Sequence, residues 1–214
     1  MHLRFLLKEE PVNALSHGIG IGLSLWGLVL LLQRAALFED AVYMASNAVF
    51  GASFCLLYAA STLLHSTRSP KWSERFERLD HAAIFIAIAG TYTPFLLIAW
   101  QGRLATELLT AIWLLALGGV LFVRRVIDRF LPWGLLLYLI MGCNMFGVIV
   151  PLFHRLPGAG FHLLLYGSIS YMAGVPFFLW RRLRYHHAIW HLFVLGGSIC
   201  HFIAVYGYVM PALL

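Results

Sequence analysis

The sequence predicts an all-α membrane protein: a seven-transmembrane-helix bundle, N-terminus cytoplasmic and C-terminus outside. Three observations carry that expectation. First, 61% of the 214 residues are hydrophobic and 11% charged, against roughly 25% charged in a soluble domain, and the mean hydropathy is +0.83. Second, a window of about 19 residues separates seven apolar stretches. Third, twelve of the fifteen Lys and Arg fall in connections on one side of those stretches, and the positive-inside rule places that side in the cytoplasm. A chain of this length leaves little room beside seven helices of ~20 to 25 residues, so residues 1–214 are read as a single domain.

The stretches lie near 17–33, 42–65, 80–100, 105–123, 131–153, 159–180 and 186–210. Ahead of the first, MHLRFLLKEEPVN has too short an apolar run for a secretory signal, and Glu9 and Glu10 stand where small residues would be needed for cleavage. The first span itself therefore directs the chain to the membrane, and Gly18 and Gly22 in it have the small-xxx-small spacing that permits close helix packing. STRSPKWSERFER separates the second and third spans, RRVIDRF precedes Pro132, LPGAG at 156–160 forms a turn, and RRLRY leads into the seventh. Pro94, Pro151 and Pro176 sit in or near spans, where neighbouring helices satisfy the freed carbonyls. Trp72, Trp100, Trp133 and Tyr185 near span ends read as interfacial anchors. Cys55, Cys143 and Cys200 lie in apolar segments and imply no disulfide framework. The basic balance is a topology signal and excludes a nucleic-acid role, because no soluble module presents it.

Ionisable residues in a bilayer are costly and usually face the protein interior with a function. His65 falls at the cytoplasmic end of the second span, Asp80 opens the third, and His187 and His191 open the seventh, all at one depth. His187 and His191 are four apart and share a helix face, as do Ser61 and His65. Three imidazoles with an open fourth position describe catalytic zinc, although copper, nickel and iron also accept imidazole. Asp80 is then a carboxylate that holds and deprotonates water at the metal, with Ser61 as hydrogen-bond partner. Such a site binds metal through neutral imidazoles, so occupancy falls with pH through the histidine range. Other readings of the same residues stand beside this one. His187 and His191 suit a headgroup contact at a basic interface; Asp80 suits a pair with Arg78 or a helix cap. Glu10, Asn13 and His17 suit an amphipathic lead-in. His201, roughly 15 Å further along its helix than His191, reads as a buried hydrogen-bonding histidine.

Glu10-x-x-Asn13-x-x-x-His17, Ser61-x-x-x-His65, Asp80 followed by HAAIFIAIAGTYTPF, and His187-x-x-x-His191 together resemble the signature set of the hemolysin III family, the bacterial branch of the progestin and adipoQ receptor family. The resemblance spans almost the whole chain. It implies seven helices with a cytoplasmic N-terminus, Zn2+ held by His65, His187 and His191, and Asp80 contacting the metal through water. Through its link to ceramidases it implies a zinc-dependent hydrolase of a lipid amide or ester in the bacterial inner membrane, with Asp80 and Ser61 as catalytic residues. The partners expected are membrane lipids, without nucleic acid or an obligate protein. Two alternatives use the same residues: a non-enzymatic regulator of membrane fluidity or energetics with structural zinc, and a hemolysin-like pore. A pore needs polar residues through the full bilayer, whereas the outer halves of the spans offer isolated groups such as Asn47, Asn144 and His201.

Overall fold

The computed structural model describes the backbone of residues 2–143 and 145–210, and the side chains of 9–123, 136–142 and 147–210. Asn144 and the side chains of Cys143 and Trp133 lie outside the described residues; Cys55 and Cys200 are free, half-buried thiols. The described chain is helical throughout, as α1 (His2–Ala36), α2 (Ala41–Ser66), α3 (Pro70–Pro94), α4 (Arg103–Cys143), α5 (Met145–Phe153), α6 (Gly158–Leu179) and α7 (His186–Ala204). Wider π-helical turns continue α3 through Phe95–Trp100 and α7 through Val205–Val209. Among the described residues, seven helical segments are long and apolar enough to cross a membrane.

Local chemistry explains the helix starts. The Asp40 side chain accepts from the Val42 N–H (2.7 Å) and caps α2, satisfying one of the donors that a helix start leaves open. Pro70 opens α3, a position that needs no N–H. The helix thus begins ten residues ahead of the third apolar stretch, and the charged WSERFERL segment is its first turns rather than a loop. A hydropathy window sees only apolar length, but these residues favour helix through neighbours along one face: Arg78 pairs with Glu74, and Trp72 stacks on Phe76. α1 likewise extends well before residue 17, so Glu9, Glu10 and Asn13 are helical.

α4 runs through the RRVIDRF cluster, where the sequence predicts a break between two spans. The run is not straight. The Phe85 ring packs on Gly119, and the Tyr138 ring lies 4.5 Å from the same Phe85. A straight helix would hold positions 119 and 138 about 28 Å apart, so α4 bends between them, and 103–123 and 136–153 are each long and apolar enough to cross a membrane. Hydrogen bonds fix both to α3: Trp113 donates to Thr93 Oγ1 (3.1 Å), Tyr138 to the His81 carbonyl (3.0 Å), and Tyr92 to the Met141 carbonyl (3.0 Å).

α3 is the most buried span and lies against α2 and α4. α1 and α7 close the bundle side by side. At one end Glu9 Oε1 accepts from the Tyr185 N–H (3.0 Å), and at the other Arg34 donates to the Met210 carbonyl (3.4 Å) and lies over the Tyr206 ring. Gly18 and Gly22 make none of the close approaches their spacing suggests, since a Cβ on either would meet open space. The approach is at Gly20, where a Cβ would stand 2.5 Å from Tyr58. Gly18 and Gly22 share a face that turns away from α2, and Gly20 is the glycine on the inward one.

Candidate metal centre

Four helices build the site. His65 lies in the last turn of α2, His187 and His191 in the first two turns of α7, Asp80 on α3, and Glu9 to His17 on α1. The i, i+4 spacing places the His187 and His191 rings 4.5 Å apart on one face of α7. The His65 ring comes from α2 to within 5.0 Å of His187 and 5.2 Å of His191. One ligand nitrogen from each of the three lies within 4.8 Å of the others. His191 is 1% exposed.

Asp80 stands just outside this trio, half-buried, beside Ser61 and within electrostatic reach of His65 and His81. Arg78 pairs with Glu74 instead, and Asp80 is ten residues into α3, so neither an Arg78 pair nor a helix cap accounts for it. Ser61 is buried one turn before His65. The structure therefore brings together all five residues that the sequence singled out for chemistry.

α1 contributes more than a lead-in. Glu9, Asn13, Ser16, His17 and Gly20 fall on one inward stripe, with Glu10 at its edge. Glu10 Oε2 lies 2.6 Å from His65 Nδ1, and Ser16 Oγ lies 2.9 Å from His191 Nδ1. The His17 ring stacks on His191 at 3.4 Å between centroids. Ser16 is the contact that sequence reasoning missed. Its signal was present: it lies one turn beyond Asn13 and next to His17.

Buried polar atoms without a partner are rare in folded proteins. Four such atoms lie at this site: His65 Nε2, both ring nitrogens of His17, and Asn13 Oδ1. A trio of imidazoles whose ligand nitrogens lie within 4.8 Å of one another, with His65 Nε2 unpartnered, fits a borderline-soft divalent cation such as zinc, whose usual donors include histidine. His201 lies apart from this group; it is buried, with Nε2 3.1 Å from the Leu164 carbonyl.

A family model described as haemolysin-III related matches residues 5–202. The chain belongs to the haemolysin-III related family. Among curated proteins it is similar to Hemolysin-3 of Bacillus cereus, 49% identical over 205 residues that cover 96% of this chain and 94% of that protein. The Hemolysin-3 homolog of Bacillus subtilis (strain 168) is 47% identical over 204 residues, 95% of this chain and 96% of the homolog. The human Monocyte to macrophage differentiation factor is 29% identical over 206 residues, 94% of this chain and 84% of its own. The matched region takes in every residue of the candidate centre, and the family assignment with seven apolar helices makes this an integral, multi-pass membrane protein.

Proposed function

We propose that this haemolysin-III family protein is a zinc-dependent hydrolase of a lipid amide or ester, acting at the cytoplasmic side of a bacterial inner membrane. The observation that carries the reading is the convergence of His65, His187 and His191 beside a carboxylate and a hydroxyl, at one end of seven apolar helices. Three imidazoles leave a coordination position open, which is the donor set of catalytic rather than structural zinc. Zinc, when bound, supplies Lewis-acid chemistry, polarising a carbonyl and acidifying water. Asp80 takes the proton of the attacking water and returns it to the leaving amine or alcohol, a general base and then a general acid. The Ser61 hydroxyl donates to the carbonyl oxygen as charge develops on it.

An apolar cavity of about 280 Å³ between α1, α2 and α7 supports a lipid substrate. Exposed Leu23, Trp26, Ile199 and Ile203 line its mouth on the outer face of the bundle. Its inner wall includes Tyr58, whose ring meets His17 edge-on at 5.1 Å. The volume is just under the roughly 300–1,000 Å³ of small-molecule sites, room for part of one acyl chain.

The test begins with elemental analysis of detergent-purified protein, wild type beside a His65/His187/His191 triple alanine variant. Near-stoichiometric zinc lost in the variant is expected; a folded wild type without metal ends the hydrolase reading. Asp80→Asn then separates chemistry from structure. Turnover of a ceramide-type amide or an ester is expected to fall about 10²–10⁴-fold, the usual worth of a general base, with zinc retained. Undiminished hydrolysis in that variant removes Asp80 from the mechanism.

A further inference from the structure

The Glu10-x-x-Asn13-x-x-x-His17 motif takes no part in the chemistry proposed above, yet it contacts two of the three imidazoles. A carboxylate only accepts, so the 2.6 Å contact of Glu10 Oε2 with His65 Nδ1 requires the proton on Nδ1. His65 Nε2 is then the lone-pair nitrogen, and it is the one left buried without a partner. A similar argument holds at His191. The Ser16 hydroxyl has one proton and directs it to the Asn13 carbonyl at 2.8 Å, which leaves its oxygen as an acceptor for His191 Nδ1–H at 2.9 Å. With the proton on Nδ1, Nε2 of His191 carries the lone pair.

We infer that α1 supplies the outer hydrogen-bond partners of the centre: Glu10 and Ser16 are positioning residues that fix the tautomer and ring orientation of His65 and His191, so that both present Nε2 to a divalent cation. The inference rests on the metal reading above and deepens it. It assigns a role to the first helix, which donates no ligand of its own to the trio. A ligating histidine commonly gives its other N–H to a carboxylate or another oxygen, and loss of that partner typically costs about 10–100-fold in metal affinity. Glu10 is the stronger of the two because its charge also raises the basicity of the ring it holds.

The experiment measures zinc affinity by chelator competition on the full chain in detergent, together with the visible absorption of the Co2+-loaded protein. The variants are Glu10→Ala, Glu10→Gln, Ser16→Ala and, as control, Leu15→Ala, which is 66% exposed on the same helix. Glu10→Ala is expected to weaken zinc binding about 10–100-fold and Ser16→Ala by less. Glu10→Gln, whose amide oxygen still accepts from Nδ1–H, should show a smaller loss and a shifted Co2+ ligand-field band. The control should match wild type in both readouts. Should Glu10→Ala fail to fold, the near-isosteric Glu10→Gln and its Co2+ spectrum decide the matter, because a contact that merely ties α1 to α2 would leave that spectrum unchanged. Zinc affinity and Co2+ spectra at wild-type values in Glu10→Gln and Ser16→Ala overturn this inference alone. A wild type that binds no zinc overturns the metal reading beneath it.

Discussion

Gly20→Ala puts the packing of α1 on α2 to a direct test, with Gly18→Ala as its internal control. A Cβ at position 20 would stand 2.5, 2.7 and 2.8 Å from three atoms of the Tyr58 ring, about 1 Å inside the ~3.5–4.0 Å separation of carbon atoms in contact. The ring has little freedom to move aside: Tyr58 is 2% exposed, its hydroxyl donates to Ser198 (2.7 Å), and its edge meets His17. Forcing a methyl group into a packed site costs typically about 1–3 kcal/mol, while Ala for Gly in a helix returns up to about 1 kcal/mol. The net effect is destabilising by as much as about 2 kcal/mol. For a chain of this size each kcal/mol moves the unfolding midpoint by roughly 2–4 °C, so a fall of several degrees is expected in detergent. Gly18→Ala has the same propensity gain and meets open space, so its midpoint should equal or exceed that of wild type. Separation of α1 from α2 also draws Glu10 away from His65, so Gly20→Ala should weaken zinc retention where Gly18→Ala does not. Equal midpoints for the two alanine variants would refute the argument that α1 is seated on Tyr58.

Two further outcomes are expected. Because a metal that binds only the folded state stabilises it, a chelator should lower the unfolding midpoint of wild type and leave that of the triple histidine variant unmoved; an equal fall in both would place the stabilising metal elsewhere. Asp40→Ala removes the α2 cap seen at Val42 and should cost about 0.5–2 kcal/mol, read as a lowered midpoint with zinc content unchanged, since the cap lies at the opposite end of α2 from His65.

Much of the architecture was legible because its signals are local. Apolar length marks a span, and the i, i+4 spacing of His187 and His191 puts two rings on one face without knowledge of any neighbour. The common depth of His65 with those residues followed from counting spans, and the structure places the three rings together. Features set by partners across the bundle were harder to read. Hydropathy found the apolar part of α3 and missed its charged first turns, which are helical through side-chain pairing rather than burial. Gly18 and Gly22 carried a packing pattern, but spacing alone does not say which way a face points, and Gly20 proved to be the inward glycine. Ser16 stands beside His17 in sequence, but its proximity to His191 exists only because α1 and α7 lie side by side.

That adjacency orders events during synthesis. Ser16 and His191 are 175 positions apart, so the contact between the first helix and the last forms only after the last has been made. At about 5–20 residues per second, Glu9 and Ser16 wait roughly ten seconds or more for Tyr185 and His191 to be made. A chain halted before α7 has one of the three imidazoles and nothing to hold the Glu9 carboxylate. On the zinc reading proposed above, metal uptake becomes a checkpoint of completed insertion, because the trio is complete only once α7 has been made.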